Sequence, residues 1–108
     1  MDIWIEVEKL KGQTLRTLDQ RKPFDIVDVS EKAIIVRPHK NEVERQISRV
    51  DIENAFRRLA AVGEITRSAI RAEFSEYHPA YVAAILAELP SMNHSIHPIR
   101  LWMANKPW

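Results

Sequence analysis

Few side chains in this chain stand where they could do chemistry, and spacing removes most of the options. Asp25 and Asp28 flank a β-rich run, a placement that would suit metal-binding acids of a nuclease. Such a centre commonly adds an acid two residues before a lysine. Reading two back from each lysine gives Val7, Lys9, Gln20, Ser30, Pro38 and Ala104, none of them acidic. Asp25 and Asp28 therefore read as strand-surface acids. His94 and His97 lie three apart in HSIH, with His39 and His78 elsewhere, and there is no cysteine or HExxH to complete a metal-binding set. No GxSxG, P-loop or GxGxxG occurs, and two glycines leave no loop to cradle a phosphate. The expectation is a non-enzymatic protein with no metal and no cofactor.

What remains is arginine and aromatic chemistry. Arg45, Arg49, Arg57, Arg58, Arg67 and Arg71 cluster in the middle of the chain, where they could supply phosphate contacts that carry affinity without sequence information. Arg57 and Arg58 are adjacent on a helical pattern and diverge, so the set cannot form one patch. Residues 48–74 hold five arginines against four acids, whereas residues 75–90 hold Glu76 and Glu88 with no lysine or arginine. Any electrostatic attraction should then come from the earlier segment. Trp102 and Trp108 in the tail could anchor a protein partner, since aromatics often dominate interface energetics, or cap the domain's own core.

Three helical patterns would position these groups. Ser48 suits an N-cap with Asp51 at N3, and Ile52, Ala55, Phe56, Leu59 and Val62 recur at helical spacing up to Gly63, a C-terminal stop. Glu53 and Arg57 are spaced for an i,i+4 pair. Thr66 caps a second helix, with Ile65 and Ile70 spaced as a hydrophobic staple. Pro79 suits the first position of a third, whose buried stripe is Val82, Ile85, Leu86 and Leu89, and Pro90 ends it. The second and third helices are separated by Ser75-Glu76-Tyr77-His78, the length of turn a helix-turn-helix needs.

Before the helices, FDIVDV, AIIVR and VERQI read as three strands joined by polar links too short for a crossover, hence antiparallel. In the third, Val43 and Ile47 should share the buried face. Residues 1–22 fit both a strand, through Ile3, Ile5 and Val7, and a helical face, through Trp4, Val7 and Leu10. The tail from Ser91 has no clear period, yet is too apolar for a free disordered end.

The predicted fold class is α+β: a three-stranded antiparallel sheet followed by a three-helix unit with helix-turn-helix-like spacing. The 108 residues fit one domain, divided into an N-terminal element (1–22), a sheet (23–47), the helices (48–90) and the apolar tail (91–108). No apolar run approaches the roughly 20 residues a membrane span needs, and the N-terminus lacks a signal-peptide pattern, so a cytoplasmic protein without membrane contact is expected. A net charge of +1 supplies no overall field towards nucleic acid.

Residues 24–90 loosely resemble the winged helix-turn-helix class, on ITRSAIRAEFSEYHPAYVAAILAEL plus a neighbouring hairpin. In the usual order of that class a first helix precedes the sheet strands and the hairpin wing follows the recognition helix; here the predicted strands come first. The resemblance implies DNA as partner. The front of the third helix offers no arginine, asparagine or glutamine for base reading, so the expected contacts are mostly to phosphate. Arg67, Arg71, Tyr77, His78 and Tyr81 are the candidate DNA contacts, with Arg49 and Arg58 on phosphate. The other expectation is a small protein-interaction module, a regulator or inhibitor docking on a larger nucleic-acid-processing complex through the third helix and the tail.

Overall fold

The computed structural model describes residues 2–104. The chain is α+β, with two antiparallel sheets around a cluster of helices. Helix α1 (Ile3–Glu8) opens it, and Asp2 caps the helix by accepting from the Trp4 amide. Ile3, Trp4 and Val7 go inward while Ile5 is exposed, so the helical reading of the N-terminus is the one realised. The indole N–H of Trp4 donates to the Ser30 carbonyl at 2.8 Å, tying α1 to the sheet.

The first sheet has four strands, not three: β1 (Thr14–Arg16), β2 (Pro23–Val29), β3 (Ala33–Pro38) and β4 (Arg45–Ser48), in that spatial order. β1 was missed because it is only three residues long with one buried side chain, Leu15, too short to display a period. Phe24 and Ile26 alternate inward until a bulge between Ile26 and Asp28 shifts the register with β3. β4 begins two residues later than its apolar pattern suggests. Val43 lies before it and is exposed, leaving Ile47 as its buried residue.

Helix α2 (Arg49–Val62) obeys its signals. Ser48 accepts from the Val50 amide, and Gly63 closes the helix at φ 102°, a left-handed conformation that suits glycine. Ile52, Ala55 and Leu59 are buried, but Val62 at the last turn is exposed, because the apolar stripe outlasts the core beneath it. The expected Glu53–Arg57 pair is replaced by Arg49–Glu53 at 3.2 Å, while Arg57 donates to Asn54.

A short strand, β5 (Glu64–Thr66), leads into α3 (Arg67–Glu73), which Thr66 caps by accepting from the Ala69 amide. Helix α4 (Pro79–Ala87) follows, with Pro79 at its start. The tail has regular structure: β6 (Met92–Ile96) and β7 (Ile99–Met103) form a hairpin, and β7 also pairs with β5, giving a second sheet in the order β5-β7-β6. α4 packs against α2, α3, β1, β6 and β7, so it joins the two sheets. None of its nine residues is exposed. A helix that is apolar all round belongs in an interior. Among the described residues no helix is long and apolar enough to cross a membrane.

Candidate nucleic-acid interface

The first turn of α4 and the outer side of α3 face two loops of the four-stranded sheet across an open cleft of about 820 Å3. Three walls build it. The β1–β2 connection brings Asp19 and Lys22, the β3–β4 connection brings His39 and Lys40, and the helices bring Arg67, Arg71, Tyr77, His78 and Tyr81.

The loops are shaped by local bonds. Thr17 and Lys22 are joined twice, Thr17 N–H to the Lys22 carbonyl and Lys22 N–H to the Thr17 hydroxyl, both at 3.0 Å. Arg21 between them takes φ 55° to complete the turn. On the other loop the His39 amide donates to the Pro23 carbonyl at 3.1 Å. Its imidazole Nε2 lies 2.8 Å from Asp25 Oδ1, which also accepts from the Thr14 hydroxyl at 2.6 Å. These hydrogen bonds, the Thr14 hydroxyl foremost, hold the Asp25 carboxyl below its ordinary range. Asp25 therefore anchors the His39 wall; Asp28 is separately paired with Lys11 at 3.1 Å.

Arg67 and Arg71 are four residues apart on α3 and so share a face. Their partners differ. Arg67 donates to Asp19 Oδ2 at 3.0 Å, whereas Arg71 is exposed and has no ion pair among the described residues. Burial would raise the Asp19 carboxyl, but the Arg67 guanidinium and the Gln20 amide outweigh it and hold the group low. Asp19 is thus ionised at neutral pH and cancels one of the four Lys and Arg charges that line the cleft. Lys22 and Lys40 have no acidic partner among the described residues. His78 sits where α4 begins. Burial, helped by the nearby Arg45 charge, lowers its pKa and favours the neutral ring at pH 7. Its side chain makes no cap bond, unlike those of Asp2, Ser48 and Thr66 on the other helices. Tyr81 packs edge-on against Phe24, ring centroids 4.9 Å apart, which fixes the floor of the cleft to the sheet.

Five of the seven side chains singled out for DNA contact, Arg67, Arg71, Tyr77, His78 and Tyr81, meet in this cleft. The other two do not. Arg49 is engaged by Glu53, by the Glu31 carbonyl and by the Trp4 ring, 5.0 Å from its guanidinium. Arg58 is held by both oxygens of Glu73 at 2.7 and 3.1 Å. Lys22, His39 and Lys40 were missed. They lie in turns that read as polar punctuation, and no local spacing ties such turns to a helix some forty residues on.

Trp102 is half-buried on β7 beneath the Arg100 guanidinium, 4.9 Å from its ring. Trp108 lies outside the described residues. His94 and His97 are exposed on the hairpin, and no group of three His, Asp or Glu converges among the described residues. No protein-family model, curated protein or solved structure shows significant similarity to this chain.

Proposed function

We propose that this protein is a non-enzymatic DNA-binding module that grips the phosphate backbone in the cleft between the four-stranded sheet and helices α3 and α4. The observation that carries the reading is the balance of charge there. Lys22, Lys40, Arg67 and Arg71 line one concave surface against a single acid, Asp19, although the whole chain is nearly neutral. A concentration of one sign within a cleft focuses the field on a ligand of the other.

The order from α2 to β7 supports the same reading. A helix, a short strand, a helix pair with a tight turn and a closing hairpin follow one another, as in a winged helix. The β6–β7 hairpin stands where the wing would be, whereas the earlier sheet belongs to an added N-terminal half. That half alters the use of the unit. A recognition helix inserts into a major groove through an exposed face, and α4 exposes none. Binding in the cleft is then backbone-directed, with little base discrimination.

The experiment is an anisotropy titration of labelled DNA at low salt, repeated with Lys40→Glu/Arg71→Glu. The expected result is binding by the parent and loss of most of it in the variant, because two exposed charges that face the cleft are reversed. Absence of binding by the parent, or equal binding by the variant, overturns the proposal.

A further inference from the structure

We infer that the strand the cleft accepts is single-stranded, with a base stacked on Tyr77 while the cleft cations hold its phosphates. This rests on the proposal that the cleft binds DNA and specifies which form.

Three features point the same way. Tyr77 is 81% exposed at the cleft margin, a large apolar ring with no packing duty. Water-facing aromatics beside cations are the usual composition of a single-strand groove, where each base presents a face and the backbone tracks positive charge. In the opposite wall stand Lys22 and Lys40, with Arg71 on the helix side, so charge lines both flanks and the ring stands at the edge between them.

The second feature is shape. At about 820 Å3 the cleft lies between a sheet and a helix pair, and two loops project as its far wall. A duplex offers a rigid rod whose bases are reached only through a groove, and α4, the helix in the reader's place, has no exposed residue with which to enter one. A single strand bends into such a space and turns its bases outward. The third is the first turn of α4. Its Ala80 and Tyr81 amides have no side-chain cap and adjoin the cleft, where they add donors for a phosphate oxygen already drawn in by the cations.

The test compares two probes at low salt: a labelled thymidine oligonucleotide of about 12 nucleotides, within the ~4–16 nucleotides typical of a single-strand site, and a hairpin duplex of equal stem length. Inorganic polyphosphate serves as a competitor with phosphates but no bases. The expected result is at least about tenfold tighter binding of the thymidine strand. Tyr77→Ala should weaken it by about 5-fold or more, the range for loss of one base stack, and Tyr77→Phe should restore it. Because Tyr77 is exposed, neither substitution endangers the fold. Equal or tighter duplex binding overturns the single-strand assignment and leaves the DNA-binding proposal standing, as does a Tyr77→Ala variant that binds like the parent. Displacement by polyphosphate as readily as by unlabelled oligonucleotide also overturns it. Failure of both probes to bind sinks the DNA proposal itself.

Discussion

The pairing of Asp19 with Arg67 allows a prediction whose sign is unusual: removing an acid should tighten binding and steepen its salt dependence. Lys22, Lys40 and Arg71 have no ion pair among the described residues, whereas Arg67 is neutralised by Asp19 at 3.0 Å. With about 0.7 of a counterion released per single-strand phosphate, three effective cations give a slope of log K against log salt near −2.1. Binding of the oligonucleotide should then fall roughly 18-fold between 50 and 200 mM salt. Arg71→Gln reduces the slope to about −1.4 and the loss to about 7-fold. Asp19→Asn keeps an oxygen for the Gln20 amide, now 2.7 Å away, but leaves the Arg67 charge uncompensated. Its slope should approach −2.8, with a loss near 50-fold, and its affinity at low salt should exceed that of the parent. Arg58→Gln provides the control, since the Arg58 charge is occupied by Glu73 and lies outside the cleft. Anisotropy titrations at four or more salt concentrations measure all four slopes. If Asp19→Asn binds no better than the parent, or Arg58→Gln flattens the slope as much as Arg71→Gln, the cleft is not where the phosphates sit.

Other consequences concern pH and stability. His78 has a pKa lowered from 6.5 by burial and by Arg45. The unfolded chain therefore takes up a proton first as pH falls, and the stability tied to the neutral ring is present above that value and is lost below it. His78→Gln should flatten the fall in urea midpoint between neutral and mildly acidic pH; an unchanged profile would count against the assignment. Thr66→Ala removes the cap on the Ala69 amide and should cost about 1 kcal/mol in chemical denaturation. Glu73→Gln breaks an ion pair whose side chains are both 43% exposed, so the expected change is below about 1 kcal/mol despite its two short contacts. Ile85→Ala empties a fully buried site on α4 and should cost about 2–5 kcal/mol.

The helix ends were legible because each depends on chemistry within a few residues. Ser48, Gly63, Thr66 and Pro79 stand at the boundaries their side chains imply, since a cap bond or a permitted φ is a local event. Apolar periodicity carried less far. Val43 and Val62 continue their stripes on paper yet lie exposed, because the stripe records which way a residue points and not whether another element waits there. The hairpin at the end was obscured by its edge strand: in β6 no residue is fully buried, so Met92–Ile96 shows no alternation. β7 did carry one, with Ile99 and Leu101 inward and Met103 partly so, and that was the signal available.

By itself, then, the sequence determined an α+β chain and the starts of three helices with the Gly63 stop, from spacing and capping over short ranges; the third helix ends at Ala87, short of the Leu89 and Pro90 its apolar stripe implied. Only the tertiary structure decided that Arg67, Arg71, Tyr77, His78 and Tyr81 meet in one cleft with Lys22, His39 and Lys40, that Arg49 and Arg58 are occupied elsewhere, and that α4 opens on the cleft only through its first turn. The reason is one of range. A cap bond or a helical stripe is written within a turn or two, but a charge balance across a cleft depends on which distant loops the packing brings opposite each other. Packing of β1 and α2 onto α4 turned a helix with a reader's spacing into the centre of the core.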